Sequence, residues 1–216
     1  MKCFARWEND DVSGVCFRDQ TILQFGSSWE LRANLILLNP GSALPINEDD
    51  QTEFLRSMHF PFFVQPEDGE KYVEFSIDRL MLDVIKLFSG RFSGGTIRLH
   101  NLFNLKNQLS GEAMLQIEAN AAHTKMFSKN PEVRFCDAPV IVASGGNAAG
   151  NALLKKESIR LVAMAEPDSL FALSRVGPKD FSILRAKPNA EGFIESYHPS
   201  YTFKYGNSTS IGEIGT

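Results

Sequence analysis

The stretch Leu35-Ile36-Leu37-Leu38-Asn39-Pro40-Gly41-Ser42 carries the strongest structural signal in the chain. Four aliphatic residues in a row, with no polar alternation, predict a strand buried on both faces, inside an α/β sheet. The strand then stops at once. Asn39 brings a polar side chain, Pro40 has no amide hydrogen to give a ladder, and Gly41 permits a tight turn. Open α/β sheets hold their ligands at the carboxyl ends of such central strands. Asn-Pro and Pro-Gly are also common turn pairs, so this stretch alone does not separate a binding site from an ordinary strand exit.

Downstream lies the acidic patch Glu48-Asp49-Asp50-Gln51-Thr52, where a short helix is expected over 50–58. Pro61 then makes 59–64 an aromatic loop. Apolar residues recur at helical steps over 73–89, with Asp78, Arg79, Asp83 and Lys86 opposite, predicting a helix that Gly90 ends. A second strand, Thr96 to His100, delivers Asn101. A helix is expected over 110–127 with Ser110 as its N-cap. Pro139 to Ala143 reads as a third buried strand, entering Ser144-Gly145-Gly146-Asn147 and a helix over 147–156, a combination that suits anion binding. Neither GxxxxGK[ST] nor GxGxxG is present, so mononucleotide and dinucleotide binding are unsupported, and a plain strand-to-helix turn fits this piece as well. A fourth strand is expected at 158–164, and His198-Pro199-Ser200 follows a strand end.

Upstream, residues 1–30 alternate and turn, predicting a β-meander ahead of the main sheet. The tail over 206–216 is polar and Gly-rich and is expected to pack loosely. No linker or repeat interrupts the rest. The expectation is therefore one domain over 1–216: α/β, a three-layer α/β/α sandwich with a central, mainly parallel four-stranded sheet plus the N-terminal β-meander.

Composition narrows the function classes. With 216 residues, 43 % hydrophobic and 22 % charged, the chain reads as a soluble globular protein with room for a full core. The net charge of −4 shows no global basic field for nucleic acid, although a local basic rim suffices for binding. Three cysteines without CxxC spacing argue against a disulfide framework and an iron–sulfur cluster. No apolar run reaches the roughly 18 residues of a membrane span, and no signal-peptide core opens the chain, so a cytoplasmic protein without membrane contact is expected. Asp49 and Asp50 could bind Mg²⁺, but no third ligand stands at a convincing spacing, so no metal or cofactor is expected.

Asn39, Asn101 and His198 are expected to meet at one edge of the sheet, while His59, His100 and His123 take ordinary structural roles. With Leu38-Asn39-Pro40-Gly41, Ile97 to Asn101, Val140 to Gly145 and His198-Pro199-Ser200 in this order, the chain resembles the uracil-DNA glycosylase superfamily over about 33–203. The first motif takes the Asn-Pro-Gly form of its mismatch-specific branch. Leu38 to Ala43 with Asp50, Thr52 and Asn101-Leu102-Phe103 is also similar to a bacterial and phage family with an LNPS-type motif. Two features depart from the superfamily: the Gln-Asp-Pro-Tyr-His motif and the four-cysteine cluster are absent.

The resemblance implies a monofunctional, monomeric DNA glycosylase, which flips a nucleotide out of DNA and hydrolyses its N-glycosidic bond. It implies that Asn39 holds the water, that His198 donates to the leaving base, and that Asn101 contacts the pyrimidine edge beside Pro40. Asp50 would help position the water or cap the helix near Thr52. One of Phe54, Phe60, Phe62 or Phe63, with Phe54 favoured, would stack on the base. Gly41 replaces a tyrosine of uracil-specific members, leaving room for a 5-substituted pyrimidine such as thymine or a modified cytosine of phage DNA. Gly145, Gly146, Asn147, Ser200, Tyr201, Phe203 and Lys204 would contact DNA, with Ser200 to Phe203 wedging into the duplex. Lys155 and Lys156 are further candidates for phosphate. An amide cannot ionise, so turnover is expected to be slow, or the base an easy leaving group. Two other readings stay open: a non-catalytic module binding DNA or protein, and a hydrolase of free nucleosides or nucleotides.

Overall fold

The elements follow in chain order as β1 (Lys2–Asp10), β2 (Val15–Gly26), β3 (Leu31–Leu37), α1 (Thr52–Ser57), β4 (Lys71–Glu74), α2 (Arg79–Ser89), β5 (Gly94–Asn101), α3 (Ser110–Asn120), β6 (Val140–Val142), α4 (Gly146–Gly150), α5 (Ala152–Ala163), β7 (Leu170–Arg175), β8 (Asp180–Arg185), α6 (Pro199–Tyr205) and β9 (Ser208–Ser210). The computed structural model describes residues 1–10, 14–67, 69–107, 110–206, 208–211 and 214. The capping role expected of Ser110 lies outside the described residues.

Among these residues the strands form one nine-stranded sheet in the order β4-β1-β2-β5-β3-β6-β7-β8-β9. The run β5-β3-β6-β7 is parallel. The pairs β4–β1, β1–β2, β2–β5 and β7–β8 are antiparallel, and β8–β9 is parallel. The expected four-stranded, mainly parallel sheet with a separate meander is thereby corrected. The reason lies in β2, where Phe17 to Phe25 is buried throughout, so the strand needs neighbours on both sides. It finds them in β1 and, over Thr21 to Gly26, in β5.

Strand alternation sends Ala33, Leu35 and Leu37 of β3 to one face, against Met81, Val84, Ile85 and Phe88 of α2. Ile36 and Leu38 face the other side, with Ile117 of α3 and Leu154, Leu161 and Val162 of α5. Each fully buried side chain of this size stabilises by roughly 1.5–3 kcal/mol. A third cluster, Phe4, Ile22, Leu55, Phe62 and Tyr72, lies under α1. Arg98 anchors the aromatic loop there, donating from Nη1 to the Phe62 carbonyl at 2.8 Å.

Three more expectations need correction. Residues 158–164 belong to α5 and its end, because Leu154, Leu161 and Val162 recur at helical steps and Asn151 caps the helix through Leu153 N and Leu154 N. Val73 belongs to strand β4, and the helix expected from 73 starts only at Arg79, where the Asp78 side chain accepts from Met81 N at 2.9 Å. The tail is not loose over its described part: β9 pairs with β8, and Ile211 and Ile214 are buried in the core. No helix among the described residues is long and apolar enough to cross a membrane.

Candidate functional site

The four parallel strands end on one edge of the sheet, and the loops leaving them build a cleft. β3 continues into buried Leu38 and Asn39. Asn39 donates from Nδ2 to the Asn107 carbonyl at 3.0 Å, which leaves Oδ1 as its acceptor end. Gly41 follows in the left-handed region at φ +77°, where a Cβ would stand 3.1 Å from Asp78 Oδ2. The Asp78 carboxylate is thus divided: Oδ1 caps α2 and Oδ2 turns toward the Asn-Pro-Gly loop. The space beside Gly41 that a tyrosine would fill is bounded by this carboxylate.

His198 reaches the same edge through the segment that follows β8, whose Tyr197 N donates to Leu173 O at 2.8 Å. It is the N-cap of α6, with Pro199 at the first helical position. Its Nδ1 accepts from Ser200 N at 3.3 Å, and Ser200 Oγ lies 2.7 Å away. An accepting Nδ1 places the proton of the neutral ring on Nε2. Desolvation in the cleft pushes the His198 pKa from 6.5 down to about 4.

Two cavities meet at His198 and Ser200. One, of about 420 Å³, is lined by Asn39, Gly41, Asp78, Phe203 and Lys204 among others. The second, of about 370 Å³, takes in Leu38, Ser144, Gly145, Gly146, Asn147 and Tyr201. Ser144 Oγ is buried there without a hydrogen-bond partner among the described residues. Most of the predicted residues therefore come together around one histidine.

Others do not. Asp50 is exposed and accepts from Thr52 N at 2.8 Å, closing a local turn ahead of α1, whose N-cap position is Gln51 and carries no side-chain cap. Between Ser42 and Asp50 the chain crosses to edge strand β4, with Ile46 N bonded to Glu74 O and Gln51 N to Tyr72 O. Phe54 goes with it and packs on Phe4 at 5.8 Å and Trp29 at 6.0 Å, so neither it nor the buried Phe62 faces the cleft. Asn101 ends β5 opposite Leu37, buried at 4 % exposure, and lines neither cavity. Pro40 is buried between the cleft residues. Ser200 to Phe203 form a helix turn and not a wedging loop. Lys155 is paired with Glu191 at 2.6 Å. His100 and His123 are core contacts, to Asn34 Oδ1 at 3.2 Å and to the Phe17 ring at 4.3 Å.

Sequence reading gives no site role to Asp78 or Tyr197, which line the two cavities. Asp78 had a signal, since an aspartate immediately before an apolar helical run is a capping residue and marks where the helix end lies. Asp83, also in the first cavity, is engaged by Arg79 at 3.1 Å and Lys86 at 3.7 Å. Among the described residues no group of three or more His, Cys, Asp and Glu is arranged to hold a metal ion. Compared with known proteins, the chain matches no family model, no curated protein and no solved structure, so the cleft itself is the ground for assigning a function.

Proposed function

We propose that the chain is a monofunctional N-glycosylase that hydrolyses the glycosidic bond of a pyrimidine nucleotide flipped out of DNA. The observation that carries this reading is that His198, its Nδ1 held on Ser200 N and its Nε2 left free to donate, shares one cavity with the Asn39 amide and the Asp78 carboxylate. Asn39 Oδ1 accepts a hydrogen from water and aims the oxygen at the sugar carbon. The C1′–N bond breaks as the water oxygen bonds to C1′, and the bonding pair leaves with the base. His198 Nε2–H donates to the base oxygen on which that charge collects. Asp78 Oδ2 offsets the positive charge of the oxocarbenium-like sugar and takes the water proton, a role the un-ionisable Asn39 cannot fill.

The net charge of −4 favours a second reading, hydrolysis of a free nucleoside that needs no contact with DNA phosphates. One panel distinguishes them. DNAs holding uracil, mismatched thymine, 5-hydroxymethylcytosine or glucosylated cytosine are incubated alongside the free nucleosides, and base release is measured. Alkali-sensitive abasic sites in one DNA are expected. The Asn39→Ala variant is expected to release that base about tenfold more slowly, the worth of one neutral hydrogen bond of about 1.4 kcal/mol. Release from nucleosides alone supports the second reading, and silence with DNA binding retained supports a non-catalytic module.

The state of His198 has its own check. Its imidazole NMR signal, assigned by its loss in His198→Gln, is expected to stay in the neutral position from pH 8 to pH 5 and to titrate near about 4. Because the folded form excludes a proton that the unfolded form takes up below 6.5, the associated stability is whole above pH 6.5. It is lost as pH falls from there toward about 4. Titration near 6.5 would mean that the cleft does not desolvate the ring and would confine the neutral donor to pH above about 6.5.

A further inference from the structure

α6 carries more aromatic surface than the chemistry needs. Tyr201 and Tyr205 stand four residues apart on α6, and Tyr197, just ahead of the N-cap His198, packs against Tyr201 so that the three rings form one row. Their ring centres are 5.9 Å apart from Tyr197 to Tyr201 and 5.1 Å from Tyr201 to Tyr205. Phe181 backs the row edge-on, 5.1 Å from Tyr197 and 6.2 Å from Tyr201. The outer two rings face solvent, with Tyr201 49 % and Tyr205 53 % exposed. A core aromatic cluster would bury such rings; this one leaves their surfaces open.

The row starts inside the cleft, where Tyr197 and Tyr201 line the cavity with His198. It runs out into an adjoining hollow of about 370 Å³, also lined by Arg175 and Lys179 and, among the described residues, by no acidic one. Both cations are exposed. Lys204 holds its Nζ 5.1 Å from the Tyr205 ring centre. The neighbouring acid, Asp180, is turned into its own hairpin, with Oδ2 2.8 Å from where a Cβ on Gly177 would stand. A chain of net charge −4 thus gathers cations where it exposes tyrosines.

Resting on the glycosylase reading, we propose that this tyrosine row is a stacking track for the nucleotides flanking the target, so that the substrate is presented as single-stranded DNA. Exposed rings in series beside cations are the combination that binds unpaired strands, since every base offers a π-face while the cations meet the phosphates. A duplex offers no such faces, because its bases are stacked on one another. Tyr205 lies outside the two cavities that meet at His198, so it can be changed without touching the reacting groups.

The test is fluorescence anisotropy with labelled oligo-dT and with a duplex of equal length, using the full chain. Wild type is expected to bind the single strand more tightly. Tyr205→Ala should weaken single-strand binding about tenfold, Tyr205→Phe should restore it, and duplex binding should move with neither. Lys179→Ala should flatten the salt dependence by about 0.7 in log–log slope. Equal affinity of wild type and Tyr205→Ala, tighter binding of the duplex, or no oligonucleotide affinity would each overturn the track. An effect of Tyr205→Ala without base release from any substrate leaves the track standing and removes the glycosylase reading; base release with Tyr205→Ala indifferent does the reverse.

Discussion

Asp78→Asn is expected to slow base release by about 10²–10⁴-fold while keeping the helix cap that holds the fold at this corner. The magnitude is that of a positioned acid–base group. The substitution is chosen because Asp78 has two functions in the structure, and asparagine keeps only one. Oδ1 caps α2 by accepting from Met81 N at 2.9 Å, and asparagine is as good an N-cap as aspartate. Oδ2, turned toward Gly41 in the first cavity, is the atom whose charge disappears. The remaining structural cost is the loss of a negative charge at a helix N-terminus, about 0.3–1 kcal/mol, together with the loss of the charge that Asp78 sets against the buried Arg18 guanidinium. Asp78→Ala removes the cap as well and adds about 0.5–2 kcal/mol of destabilisation. Base release and thermal melting on the two variants therefore separate chemistry from capping. An Asp78→Asn enzyme that releases base at the wild-type rate would remove the carboxylate from the mechanism.

How this site was legible in sequence depends on where each residue lies along its strand. Asn39 and the Gly145-Gly146-Asn147 turn were readable because each follows a buried parallel strand, which appears in sequence as an unbroken apolar run. His198 was readable from the proline that fixes the helix start after it. Asp50 and Phe54 were misplaced because they are near Asn39 in sequence, whereas the intervening residues carry the chain to edge strand β4. Asp78 was passed over because the spacing of Val73 and Ile77 imitates the helix that begins only at Arg79. β2 was underestimated for a similar reason: an antiparallel strand inside a mixed sheet is buried on both faces, so it lacks the alternation expected of a meander. Of the tyrosine row, 201 and 205 have plain helical spacing, visible once 199–205 is taken as helix and not as a loop, whereas 197 joins them only through tertiary packing.

Gly145→Ala should damage activity far more than its size suggests, and far more than Gly146→Ala. Gly145 sits at φ +79° and ψ 177°, backbone almost reserved for glycine, so any other residue there costs about 1–3 kcal/mol. The alanine Cβ would also stand 2.9 Å from His198 Cβ and 3.3 Å from His198 N. Neither contact is with the far end of a flexible side chain. The strain therefore has to be relieved by moving His198 itself. Pro199 fixes the backbone after it, and its Nδ1 is committed to Ser200 N, so a shift there turns the Nε2–H away from the base it should meet. A displacement on the scale of 1 Å is enough to lose about 10²-fold in rate. Gly146, one residue on, has open space where its Cβ would go and no positive φ, so it separates this effect from a general intolerance of the turn. Rates and melting curves for the two variants are the measurement. Equal base release by Gly145→Ala and Gly146→Ala, with both folded, would mean that the position of His198 does not set the rate.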